Sequence, residues 1–134
     1  MNFVLDASIA ASWAFPDENS PIATRAFEQL RDGALAHVPS LWWFELRDTL
    51  VVGERRGRLT EDDTESFLSS LNAFDIRVDG VPSDHAVLHL ARRHRLTVYD
   101  AAYLALAGSR RAPLATLDKQ LATAAHVDGL ALFA

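Results

Sequence analysis

Four acidic residues stand where a carboxylate could do chemistry: Asp6, Glu45, Asp100 and Asp118. Each lies near a junction between apolar segments. Asp6 directly follows the run Asn2 to Leu5, and Asp118 follows Leu114-Ala115-Thr116 by one residue. Glu45 sits among Trp42, Trp43, Phe44 and Leu46. Asp100 opens the Ala- and Leu-rich stretch Ala101 to Ala107. A lone Asp in such a place is more often a helix cap, its carboxylate accepting orphan N–H bonds. As a set the four mean something else. Carboxylates gathered in one cleft repel, and some must protonate unless a cation joins them. Mg²⁺ favours carboxylates, waters and phosphate oxygens. Such a site can activate a metal-bound water and stabilise the charge on a phosphodiester under attack. Oxygen-only donors and the absence of cysteine argue against structural zinc.

The elements that must position these acids can be read in turn. Asn2 to Leu5 is a buried strand, and Ala7 to Trp13 a helix. Ser20 caps a helix with Pro21 at its first position, running to about Arg31. Ala34 to Val38 is a second strand. A long helix from about Leu41 to Arg56 follows, and its first turns, apolar all round, predict burial against more than one surface. Thr60 and Asp63 form a capping box for a helix to about Asn72. Ala73 to Val78 is a third strand, Pro82-Ser83 opens a helix, and the Asp100 helix comes next. Pro113 to Thr116 is a fourth strand, Lys119 to about Ala125 a helix, and Leu130 to Phe133 a fifth strand. Short apolar strands alternating with helices predict an α/β fold, with a parallel sheet covered on both faces. Ligands bind outside the carboxyl ends of such strands, within reach of all four acids.

The 134 residues predict one domain over positions 1–134. The absence of cysteine suits the reducing cytosol. The start MNFVLDASIA lacks the basic lead of a signal peptide, and no apolar run approaches the roughly 20 residues of a membrane span. A net charge of −5 argues against a protein held on nucleic acid by bulk charge alone. Basic clusters at Arg55-Arg56-x-Arg58, Arg92-Arg93-His94-Arg95 and Arg110-Arg111 fall near helix ends, where dipole complementarity explains them as well as RNA contact does. His85 and His89 have chelating spacing but no third ligand, so an exposed helix face is the better reading. There is neither a G-x-S-x-G elbow at Ser8 nor a Gly-rich phosphate loop.

Four motifs in order then become specific: Val4-Leu5-Asp6-Ala7-Ser8; Pro39-Ser40-Leu41-x-x-Phe44-Glu45; Leu96-Thr97-x-Tyr99-Asp100-Ala101-x-Tyr103-Leu104-Ala105; and Pro113-Leu114-Ala115-Thr116-Leu117-Asp118. Their order and spacing resemble PIN-domain proteins, and with the chain length they resemble the VapC toxins of toxin–antitoxin pairs. The resemblance covers nearly the whole chain. It implies a PIN-like three-layer sandwich, with four to five short parallel strands and helices on both faces. It also implies a Mg²⁺- or Mn²⁺-dependent endoribonuclease. Asp6, Glu45, Asp100 and Asp118 would be its catalytic acids, with Asp6, Asp100 and Asp118 holding the metal. Ser8 and Thr116 match small hydroxyl positions that line or support such a site. The chain departs from the pattern at Asp48, where many relatives carry Asn three residues after the helix Glu.

The same resemblance implies an RNA substrate, a VapB-type antitoxin, a homodimer and a hetero-oligomer with antitoxin on DNA. The aromatics Trp42, Trp43 and Phe44 are the expected antitoxin surface, with an antitoxin Arg reaching for the acids. Two other readings are a catalytically silent PIN-like module that binds protein or RNA, and an aspartate phosphotransferase. The intact set of acids argues against the first. Ser8, where the second wants another acid, argues against that one.

Overall fold

The computed structural model describes residues 1–134. Strand β1 (Asn2–Leu5) leads into helices α1 (Ala7–Ser12) and α2 (Pro21–Arg31), then β2 (Leu35–Val38). Helices α3 (Ser40–Arg55) and α4 (Glu61–Leu71) lead to β3 (Asp75–Val78). Helices α5 (Asp84–His94) and α6 (Val98–Arg110) lead to β4 (Leu114–Ala115) and α7 (Lys119–Val127). The sheet order is β3-β2-β1-β4, and every pairing is parallel. As the chain steps outward from β1 to β3, α1 packs on α2 and α3, and α3 on α4, the layer that right-handed crossovers build on one face of a parallel sheet. The return from β3 to β4 carries α5 and α6 across the other face, where α6 packs on β1, β2 and β4. The α/β sandwich expected from the alternation is therefore the fold. The strand order reverses beside β1, so the crevice between the ends of β1 and β4 is the switch point where such sheets bind ligands.

Local chemistry sets most helix starts. The Ser20 side chain accepts from the Ala23 N–H with Pro21 at the first helical position. Thr60 and Asp63 close a full capping box, and Ser83 caps α5. Helix α6 runs through the centre, with Ala101 to Ala107 all buried. Its alanines let it lie close to the sheet, while Tyr103 and Leu104 are wholly inside.

Several expectations are corrected. Strand β3 starts at Asp75 rather than Ala73, because the Ala73 and Phe74 N–H groups donate back to Ser70 and Leu71 at the end of α4. The Phe74 ring instead meets Trp13 and Phe27 edge-on. Leu130 to Phe133 is no fifth strand: β4 offers only two residues to pair with, and the tail adds a single bridge, Leu114 with Leu132. Helix α3 is not buried all round. Trp42, Leu46, Leu50 and Gly53 form one buried stripe, while Trp43 is 45% and Phe44 67% exposed. No helix is long and apolar enough to cross a membrane.

Candidate active site

Asp6 ends β1 at the switch point and is buried. It holds the N-cap position of α1, yet its carboxylate makes no cap bond; its backbone carbonyl accepts from Ile9 and Ala10. The side chain is held from elsewhere. Its Oδ2 accepts from Ser8 Oγ at 2.7 Å and from Thr116 Oγ1 at 2.6 Å. The same two hydroxyls grip the chain after β4, since Thr116 Oγ1 accepts from the Asp118 N–H and Ser8 Oγ from the Leu117 N–H. Thr116 thus ties Asp6 to Asp118 across 110 residues of sequence. Charge-assisted bonds of this length are the strong kind.

Asp118 is an actual cap: its Oδ1 accepts from the N–H groups of Gln120 and Leu121 at 2.9 and 3.1 Å. The plain structural reading of this residue holds for one oxygen and leaves the other unengaged. Asp100 behaves differently from the helix opener expected of it. Helix α6 begins at Val98, and the cap is Thr97, whose Oγ1 accepts from the Asp100 N–H at 3.1 Å. With that donor served by threonine, the Asp100 carboxylate has no local structural task. Burial, then the charges of Asp118 and Asp6, push its pKa above the ordinary 3.8.

Glu45 lies in the second turn of α3 and is half-buried. Burial raises its pKa above 4.5, a hydrogen bond from Tyr103 works the other way, and the charges of Asp6 and Asp100 add to the rise. The Tyr103 hydroxyl donates to Glu45 Oε1 at 2.6 Å and accepts from the Ala7 N–H at 3.3 Å. Sequence reasoning missed Tyr103. The available signal was its place three residues after Asp100, on the same helix face, as a polar tip within a small apolar run.

All four acids are thus neighbours at one end of the sheet. None takes part in an ion pair; the basic side chains bind Asp17, Glu18, Asp32, Asp75, Asp79 and Asp128 instead. The carboxylates as placed do not form a ready-made group of three that could hold a metal ion. The donor chemistry nevertheless fits a hard divalent cation. It is all oxygen, no basic side chain pairs with it, and burial together with neighbouring acids raises the pKa of Glu45 and of Asp100.

The remaining expected residues fall outside this group. Asp48 is exposed, and with Ser8, Thr49, Arg56, Arg58 and Leu117 it lines a hollow of about 360 Å³ beside the acids. Trp42, expected on the antitoxin surface, is in the core, 5% exposed, with its indole N–H unpartnered. Extending the periodicity past the aromatic cluster picks it out, because Trp42, Leu46, Leu50 and Gly53 follow one face. The outer face of α3 shows Trp43 and Phe44 in edge contact, with the Arg47 guanidinium 3.8 Å from the Trp43 ring centre. His85 and His89 stack in parallel on the exposed face of α5.

The PIN domain family matches residues 3–127 of the chain. Ribonuclease VapC3 of Pyrobaculum aerophilum is 40% identical over 126 residues, covering 91% of this chain and 93% of that protein. The crystal structure of PAE2754 from Pyrobaculum aerophilum is similar with a TM-score of 0.71 at 22% identity, covering 92% of this chain and 84% of that one. A toxin–antitoxin complex from Klebsiella pneumoniae matches with a TM-score of 0.60 at 19% identity, over 90% of each chain.

Proposed function

The chain belongs to the PIN-domain family, and on that premise we propose that it is a VapC-type toxin, a metal-dependent endoribonuclease whose acidic cleft cleaves RNA phosphodiester bonds. One observation carries this reading: four carboxylates from distant parts of the chain gather at the sheet's switch point with no basic side chain paired to any of them. Purely structural acids would have been paired or left in solvent.

Asp6, Asp100 and Asp118 would hold Mg²⁺ or Mn²⁺. Bound there, the cation supplies positive charge that polarises the phosphodiester and eases deprotonation of the attacking water. Ser8 and Thr116 fix Asp6 Oδ2, so its other oxygen is presented in one direction. Glu45 is suited to take the proton of the water. Its Oε1 is held by Tyr103 and its Oε2 has no hydrogen-bond partner, so one oxygen is free to meet a water.

The expected result is cleavage of single-stranded RNA that requires Mg²⁺ or Mn²⁺ and stops with a chelator. Metal should also raise the melting temperature, since a ligand of the native state alone stabilises it. Full-rate cutting by a chelated preparation would rule this mechanism out. The same titration reads Asp48. Asp48→Asn removes one negative charge beside the cleft, so it should retain cleavage and need more metal for half-maximal rate. Superimposable curves would place Asp48 outside the site.

We further infer a VapB-type antitoxin that lays an apolar helix on the outer face of α3. Trp43 and Phe44 supply rigid apolar area there, and the adjoining acids suit an incoming Arg. The apolar hollow lined by Leu41, Val81, Leu88, Val98 and Tyr99 suits a second copy of the chain, giving a homodimer that the antitoxin carries to DNA. Such a pair acts on RNA in the cytosol. Size-exclusion chromatography of the chain, alone and with the product of its neighbouring gene, should give a dimer and then a larger complex that Phe44→Asp weakens. A monomer indifferent to that product would sink the proposal.

A further inference from the structure

We propose that Tyr103 is a positioning residue of the cleavage reaction, its hydroxyl fixing the Glu45 carboxylate against the end of β1 so that Oε2 alone is left to meet the substrate water. The inference rests on the nuclease reading and assigns a new residue within it.

Three elements meet at this one oxygen. Tyr103 projects from α6 and is fully buried, so its ring has no freedom to swing. The hydroxyl proton goes to Glu45 Oε1 on α3, 58 residues away, at 2.6 Å. The hydroxyl oxygen receives the Ala7 N–H, 96 residues away, at 3.3 Å. Ala7 adjoins Asp6, so the hydroxyl sets how far the Glu45 carboxylate stands from the Asp6 carboxylate. That spacing would not hold itself, because the two acids repel and no cationic side chain pairs with Glu45. An unrestrained glutamate has three side-chain torsions and could turn either oxygen outward. The tyrosine removes that choice by occupying one of them.

The bond to Ala7 separates positioning from simple stability. Losing it leaves the Ala7 N–H unpaired whatever residue 45 is, so that part of the structural cost of Tyr103→Phe is common to the Glu and Gln backgrounds, and melting temperatures of all four proteins read the remainder. A positioning effect vanishes once the carboxylate is gone. The experiment is therefore a double-mutant cycle of Tyr103→Phe and Glu45→Gln, with kcat, KM and RNA affinity measured for all four proteins. Tyr103→Phe should lower kcat on the order of tenfold, the effect expected for one hydrogen bond to a charged group, with KM and RNA affinity unchanged. In the Glu45→Gln background it should cost nothing further. Equal losses in both backgrounds, or unchanged kcat, would overturn the proposal.

A second measurement needs neither activity nor the Phe variant. In the metal-free protein the buried Tyr103 hydroxyl proton should give a slowly exchanging, downfield NMR resonance, and Glu45→Gln should shift it upfield. A resonance that ignores Glu45→Gln overturns the assignment. A wild-type protein that never cuts RNA, yet shows the shift, counts against the nuclease reading and leaves the Tyr103–Glu45 link standing.

Discussion

Asp100→Asn is expected to abolish RNA cleavage while raising the melting temperature of the metal-free protein at neutral pH. The loss of activity should be on the order of a thousandfold or more, as for other single members of a catalytic group that acts as a unit. The gain in stability follows from the environment of the carboxylate. As a negative charge in the first turn of α6 it interacts favourably with the helix dipole, an effect of about 0.3–1 kcal/mol. Burial and the charges of Asp118 and Asp6 oppose it, and the raised pKa says that they win. Asn keeps the shape and removes the charge.

The pH dependence has a definite sign. Because the folded pKa of Asp100 lies above 3.8, the folded metal-free protein binds that proton more tightly than the unfolded chain does. Its contribution to stability is full below the unfolded value and is lost as pH rises through the folded value. Glu45 acts in the same direction from its ordinary 4.5. As pH rises from below 3.8 through the folded value of Asp100, the difference in melting temperature between Asp100→Asn and wild type should widen and then level off. Mn²⁺ should reverse it, because only the wild-type carboxylate rewards the metal. Thermal melts from acid to neutral pH, with chelator and with Mn²⁺, check both statements. A variant that melts below wild type throughout would mean that Asp100 is a stabilising helix-start acid and no strained site residue.

Gly53→Val carries the largest expected stability loss. Gly53 is buried in the last turn of α3, against Phe15 in the loop after α1 and against Leu59. A Cβ there would sit 2.8 Å from two ring carbons of Phe15 and 3.3 Å from Leu59 Cδ1. The Phe15 ring cannot move aside freely: it is 3% exposed, and the Arg58 guanidinium lies 4.1 Å over it, tied to Asp17 and Glu18. Replacing a helical glycine gains about 1 kcal/mol of helix propensity at most, and valine gains less. Forcing the methyl groups in costs about 1–3 kcal/mol or more, so the net sign is destabilising. The melting temperature should fall by roughly 5–10 °C. Gly53→Ala should lose less. Cleavage should fall too, at temperatures where the variant is folded, since α3 carries Glu45 and α1 begins beside Asp6. A Gly53→Val protein that melts with wild type would show that α1 and α3 can separate without cost.

Features decided within a few residues were legible in the sequence. The Ser20–Pro21 start, the Thr60–Asp63 box and the helix opening at Pro82-Ser83 depend on bonds spanning three residues, and all form as read. The parallel sheet was legible because buried strands with helical crossovers leave few other arrangements, and Asp6 follows its strand in the sequence itself. The Asp100 helix was misread by one cap, since Thr97 and Asp100 are both acceptable helix-start residues and only the built turn shows which hydrogen bond forms. Tertiary packing alone chose the buried face of α3. An all-apolar first turn has no preferred side until packing partners such as α1 press on one of them, sending Trp42 inward and leaving Trp43 and Phe44 in solvent. The link from Tyr103 to Glu45 had no local trace at all. It exists because a helix on one face of the sheet and a helix on the other meet at the same strand end, and a carboxylate drawn out of water there must find a donor wherever the fold supplies one.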